Sequence, residues 1–382
     1  MDSLTHLVAG ALTPLAFSGA PRRRAMALFG IAAGELPDID VIFGSTPEAL
    51  MSAHRGITHA LIWQPLLASL VVLPFYIWLC RKSAPSPAGV RPAANHDAFG
   101  LGRLFLVALF ALYTHIYLDC MTTYGTQIFL PFSDIRVAFS SMFIVDLLLT
   151  MPPLALMIYA WRLPPAKGAS ALFSPERTGA RRHGQALPEM PVSGRARRIA
   201  RIAIAWMLLY PLASLGINAA VAALRSPSLA SGASLRLLTE PFSPFVWKAV
   251  IEDARTYRMG TLCPFSPDEP LLQNFVQPEA MLYESLKRQH PIFRQFEKFA
   301  PFMIQTERPT DYMTQMDYTE TVREYAFADL RYIISADSPA RFFGREDPNF
   351  ILEARVNDSG ALLAYRFLRR GKLRSTPWIL LQ

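Results

Sequence analysis

The chain has 382 residues, 52% of them hydrophobic and only 18% charged, with a formal net charge of +8. That length accommodates two domains, and a charged fraction below the globular norm of about 25% argues against an ordinary soluble enzyme. Residues 1–224 carry 18 Lys/Arg against 11 Asp/Glu, residues 225–382 carry 20 against 19, and the long apolar runs also lie in the first part, which points to a membrane protein rather than a nucleic-acid binder.

No positive charge precedes the first apolar run, Leu7–Phe17, and Arg22-Arg23-Arg24 follow it. The order speaks against a cleavable signal peptide and for an N-terminus facing outward. Six apolar segments are expected as helices. The first two, Leu4–Ala20 and Ala25–Phe43, are short for a span of about 20 residues; Thr58–Cys80, Leu101–Met121, Met142–Trp161 and Ile199–Leu224 follow. The linkers 81–103 and 162–201 are basic and rich in Pro, Ala, Gly and Ser, the second with nine Lys/Arg against Glu176 and Glu189. By the positive-inside rule both are cytoplasmic, which places Glu35–Ile57, Thr122–Ser141 and everything after about Arg225 outside. A protein partner at these basic loops is the rival use for their charge.

Residues 225–382 read as a soluble α+β domain outside the membrane. Phe245–Leu262 and Thr319–Ala336 look like strands, and Ile351–Phe367 like a hairpin turning at Asn357-Asp358-Ser359-Gly360. Pro278–Phe299 reads as one amphipathic helix that Pro291 should break or kink, with Met281, Leu282, Leu286, Phe293 and Phe296 on its apolar side. The expected fold class is therefore a membrane all-α bundle of about six helices, residues 1–224, followed by that domain.

The orientation, assigned from Lys/Arg alone, gathers a set of ionisable groups on one side: Asp2, His6, Glu35, Asp38, Asp40, His54, Arg55, His59, His115, Asp119 and Asp146. Packing histidines would have no reason to share a leaflet. Imidazole and carboxylate suit Zn²⁺, Mn²⁺ or Fe. The three cysteines, Cys80, Cys120 and Cys263, are too far apart for a thiolate site. His115 and Asp119 are four apart in an apolar helix, hence on one face. Leu36-Pro37-Asp38-Ile39-Asp40 should set two carboxylates on one side of an extended turn. The expected ligands are His6, Asp38, Asp40, His59, His115 and Asp119, enough for one or two ions. His54 is the candidate proton carrier and Arg55 the candidate clamp for an anionic headgroup. Each has a plainer reading, as an interhelical hydrogen bond, a cap or a headgroup-level anchor.

These elements, Met1-Asp2-x-x-Thr5-His6, Leu36-Pro37-Asp38-x-Asp40, His54-Arg55-Gly56-x-Thr58-His59 and His115-x-x-x-Asp119 with Thr122-x-Tyr124-Gly125-Thr126 and Pro131-Phe132-Ser133, resemble the YdjM-like inner-membrane family over roughly residues 1–160. The resemblance implies a bacterial inner-membrane location and a metal-dependent hydrolase activity, which for the family is itself a proposal. Some members are labelled as binding the LexA repressor, which implies a protein partner. The expected substrate is an ester or phosphoester, of a lipid or lipid-linked molecule; membrane lipids are expected partners and nucleic acid is not. A non-catalytic scaffold with a structural His/Asp cluster is the main rival. A transporter is disfavoured, because its ionisable groups should spread across membrane depth.

Overall fold

The computed structural model describes residues 1–17, 23–44, 46–82, 100–164, 192–226, 232–241, 243–263, 265–266, 270–308, 322–338, 350–369 and 377–381. Most of the two basic linkers lies outside the described residues. The chain divides into two compact units. The first comprises Met1–Ile39, Arg55–Ala138 and Ile144–Ala213; the second comprises Asp40–His54, Phe139–Phe143 and Ser214–Gln382. The N-terminal part is thus helical, and the C-terminal part is a domain of antiparallel sheets with helices.

The helices are α1 (Ser3–Phe17), α2 (Arg23–Glu35), the short α3 (Pro47–Ala53), α4 (Gln64–Lys82), α5 (Leu101–Cys120), α6 (Leu147–Arg162) and α7 (Gly194–Arg225). Among the described residues, three stretches are long and apolar enough to cross a membrane: Leu61–Arg81, Leu101–Cys120 and Gly194–Arg225. α1 and α6 are shorter apolar helices.

Helix starts are set by local chemistry. Asp2 caps α1, its Oδ1 accepting from Thr5 N at 3.1 Å and its Oδ2 from Thr5 Oγ1 at 2.6 Å. Asp146 caps α6 by accepting from Leu149 N at 2.9 Å, so this helix begins five residues later than Met142, where hydropathy alone starts it. Thr58–Trp63 forms short 3₁₀ turns instead of helix. Gln64 Nε2 donates to Thr58 O and Ala60 O, both at 2.9 Å, and α4 starts there with Pro65 at its first turn.

Within the first unit, α2, α4 and α5 share an apolar core of Phe29, Ala33, Val72, Leu104, Ala108 and Leu112 among others. α1 and α2 touch at glycines. A Cβ on Gly10 would come within 2.5 Å of Gly30 O, and one on Gly34 within 3.1 Å of Gly10 Cα. The Gly30-x-x-x-Gly34 spacing on α2 is the small-residue stripe that lets apolar helices approach closely.

In the second unit, β1 (Ser234–Thr239), β2 (Trp247–Glu252), β3 (Thr256–Leu262) and β4 (Gln273–Val276) form one antiparallel sheet. β5 (Met303–Arg308), β6 (Val322–Asp329), β7 (Phe350–Asn357), β8 (Leu362–Arg369) and β9 (Ile379–Leu380) form the other. Val250 and Met259 from the first sheet and Ala326, Ala328 and Ile351 from the second lie in one core. The β7–β8 hairpin turns at Gly360, whose φ of 82° suits a residue without a Cβ. The helix breaks at Pro291 into α8 (Ala280–Gln289) and α9 (Pro291–Phe299), the proline starting a new helix capped by the His290 side chain. Leu286, Phe293 and Phe296 are buried as expected, but Met281 is 84% exposed and Tyr283 takes its place against Phe327, ring centroids 5.0 Å apart. Lys248 is buried beside Glu240 and donates to Leu330 O and Arg331 O, both at 3.1 Å; burial pushes its ammonium down to about 8.

Candidate metal centre

α5 carries His115 and Asp119 on one face, a turn apart. Both are buried among helices. The Pro37 ring ends α2 in a 3₁₀ segment, Leu36–Phe43, and aims Asp38 toward the same place; the turns after Arg55 bring His59. His59 Nε2 and His115 Nε2 are 3.2 Å apart. Asp38 Oδ1 is 3.4 Å from the first and 3.6 Å from the second, and Asp119 Oδ2 is 3.2 Å and 3.5 Å from them. These five distances define a compact group, and one ligand atom from each of the four residues lies within 4.8 Å of the other three. Four ligands about 2.0–2.1 Å from one zinc ion would stand roughly 3.3 Å apart.

Proton counting supports the same reading. His115 Nδ1 lies 2.7 Å from Gly34 O, and a carbonyl only accepts, so Nδ1 carries the proton. In the neutral ring this leaves a bare lone pair on Nε2, pointing at the other three atoms. His59 Nε2 can bring one proton at most. One proton cannot satisfy a bare nitrogen and two carboxylate oxygens. Asp119 Oδ2 is buried with no hydrogen bond among the described residues. A divalent cation would meet all four atoms, and a carbonyl holding the far nitrogen is the usual support of a metal-bound imidazole.

The other oxygen of Asp119 has protein cations. Arg55 Nη2 reaches Oδ1 at 2.8 Å, and the Met1 amino group contacts the same atom. Arg55 is fully buried and also donates to Thr122 Oγ1 at 2.8 Å. Its backbone sits at φ 57°, a left-handed conformation that costs a non-glycine residue roughly 1–2 kcal/mol. The expected headgroup clamp is therefore engaged with Asp119, because the turn before Gly56 points the guanidinium inward.

His6 Nε2 lies 3.2 Å from Asp119 Oδ1, and its ring stacks on His115 with centroids 3.7 Å apart. It touches the side of Asp119 that Arg55 holds, not the compact group. Asp40 and His54 belong to the second unit and pair with each other, His54 Nδ1 to Asp40 Oδ1 at 2.9 Å. Asp38 and Asp40 were expected on one side of an extended turn. The segment is 3₁₀ instead of extended, and the two carboxylates nevertheless come within 4.8 Å of each other. Within the compact group, only Asp38 has a partly exposed side chain, at 20%; the other three residues are at 0–1%. Sequence reasoning missed Thr122 as the anchor of Arg55 and Gly34 as the carbonyl behind His115. A Gly-x-x-x-Gly search would have pointed to the second.

The family described as YdjM inner membrane protein matches residues 1–223 of this chain. An uncharacterized protein of Bacillus subtilis strain 168, YfhP, is 28% identical over 146 residues, covering 36% of this chain and 39% of that relative's length. No solved structure matches.

Proposed function

The chain belongs to the YdjM inner membrane protein family, and from that premise we propose that it is a metal-dependent hydrolase of the inner membrane, acting on an ester or phosphoester of a lipid or lipid-linked substrate. The observation that carries this reading is the convergence of Asp38, His59, His115 and Asp119. A divalent ion held there, zinc by the donor set with Mn or Fe as lesser fits, would act as a Lewis acid and lower the pKa of water. The chain's own residues do the rest. Gly34 O fixes the His115 tautomer, and the Thr58 hydroxyl lies 3.1 Å from His59 Nδ1. Arg55 and His6 hold Asp119 in position. Asp38 marks the side from which water and substrate approach. His54, its ring oriented by Asp40, has the geometry of a proton carrier.

The test is turnover of chromogenic esters and phosphodiesters by the purified full-length protein, with and without chelation. Hydrolysis should require the metal. His59→Ala should abolish it, and His54→Ala should lower kcat by about 10²-fold or more. Turnover that is unaffected by chelation and by His59→Ala would overturn the reading.

The near-complete burial of three of the four residues favours a second reading, in which the cluster ties helices together without catalysis. On that reading chelation lowers the unfolding temperature while no ester or phosphoester turns over.

We place the site at the outer face, with several spans and the C-terminal domain extracytoplasmic. Reporter fusions after Lys82 and Arg182 should then read cytoplasmic, and those after Thr123 and Arg225 external. A cytoplasmic Thr123 with an external Arg182 would reverse the orientation.

A further inference from the structure

The loop after α5 closes on itself. Thr126 N donates to Val137 O at 3.0 Å and Val137 N to Thr126 O at 2.9 Å. At its tip, Phe132 N and Ser133 N both donate to Phe129 O, at 2.9 and 3.2 Å. These tip amides, with Ile135 N donating to Ser133 Oγ at 3.3 Å, are satisfied within the loop, which suits an environment poor in water. Its side chains are large, apolar and outward: Phe132 is 81% exposed, Ile135 63% and Phe129 48%.

This tip is fixed to the start of a membrane-length helix. Leu61 N donates to Ile128 O at 3.0 Å, and Tyr113 OH to Leu61 O at 3.4 Å. Ile57 and Ile62, beside that junction, are 59% and 52% exposed. Leu66, Leu70, Leu73 and Ile77 then continue as an exposed stripe at helical spacing along α4. The span Leu61–Arg81 has only 17% of its apolar window buried inside the protein, so its covering medium is lipid. The exposed apolar surface runs from that stripe onto the loop.

We propose that the tip of this loop, Phe129–Ile135, together with Ile57 and Ile62, is an interfacial apron that inserts into the headgroup–acyl boundary of the bilayer. Insertion is shallow, because Asp134 sits within the tip and stays at the water-facing level. The inference rests on membrane residence and not on the metal chemistry. It has a consequence for the site. The same loop fixes Arg55, Gln127 N donating to Arg55 O at 2.9 Å and the guanidinium donating to Thr122 Oγ1 at 2.8 Å, so the His/Asp cluster is held at the bilayer surface.

The test uses full-length protein in phosphatidylcholine–phosphatidylglycerol vesicles, with Cys80→Ser, Cys120→Ala and Cys263→Ser as background. Nitroxide labels are placed one at a time at Phe132→Cys, Ile135→Cys and Ile62→Cys, with Met281→Cys as the reference. These are exposed side chains, so folding is not at stake; Ile62 guards against a local effect in the loop. Collision with oxygen, which concentrates in lipid, should exceed collision with a water-soluble nickel chelate severalfold at 132, 135 and 62. Met281 should show the opposite. Nickel collision equal to or above oxygen at 132 and 135 would overturn the proposal. So would an immobilised signal with dipolar broadening there, since it would mean that a second copy of the chain covers the patch.

Discussion

Purified wild-type protein is expected to retain about one divalent ion per chain, and Asp119→Ala and His115→Ala are expected to retain none. The two losses have different structural consequences, which makes the pair informative. His115→Ala removes one ligand atom and the ring that bonds Gly34 O. Asp119→Ala removes one ligand atom and also leaves the buried Arg55 guanidinium without its carboxylate. An uncompensated buried charge costs about 3–5 kcal/mol, so this variant should also unfold at markedly lower temperature. Asp119→Asn combined with Arg55→Met removes both charges and should recover most of the stability but none of the metal. Elemental analysis reads the metal and thermal unfolding reads the fold. Equal, substoichiometric metal in wild type and all variants would sink the metal centre, while the stability differences would still report the Arg55–Asp119 pair.

Gly30→Val should be the most damaging single change away from the cluster. A Cβ on Gly30 would collide with Gly10 O and the Pro14 ring, both on α1. Backbone cannot yield as a flexible side chain does, so α1 and α2 must separate. Overpacking costs typically 1–3 kcal/mol, and more where backbone is the obstacle. Separation also displaces Gly34 O, which fixes the proton of His115. Gly34→Ala is the gentler version. Its Cβ would stand 3.1 Å from Gly10 Cα and 3.3 Å from His6 O, contacts relieved by a few tenths of an ångström. The carbonyl at 34 remains and shifts slightly, so we expect a near-normal unfolding temperature and a fall in metal affinity smaller than the roughly 10–100-fold cost of removing the group behind a ligating imidazole. If Gly30→Val folded and bound metal as wild type does, the glycine contact would not be what positions this site.

The site was partly legible because one of its pairs is local. His115 and Asp119 must share a face wherever α5 is a helix, and an apolar helix gives both a reason to meet polar partners. The two carboxylates of Asp38 and Asp40 do come close to each other, but hydropathy and a proline mark only the end of α2 and do not tell the 3₁₀ backbone that follows from an extended one. Arg55 could not be placed from sequence, since its left-handed backbone is what turns it inward to Asp119. The second unit shows the same division. Pro291 announced a break, but whether Met281 or Tyr283 faced the sheet depended on the exact rotation of α8.

The amino-acid pattern alone determined the helical membrane part, the α+β part and the set of polar residues that an apolar environment must accommodate, because burial preference and helical periodicity are properties of short segments. Only the tertiary structure decided which of those residues meet: Asp38, His59, His115 and Asp119 in one group, Arg55 and His6 on the other oxygen of Asp119, and Asp40 paired with His54. The physical reason is that the left-handed backbone at Arg55 and the glycine contact between α1 and α2 set where side chains from distant segments stand relative to one another, and no local pattern encodes that.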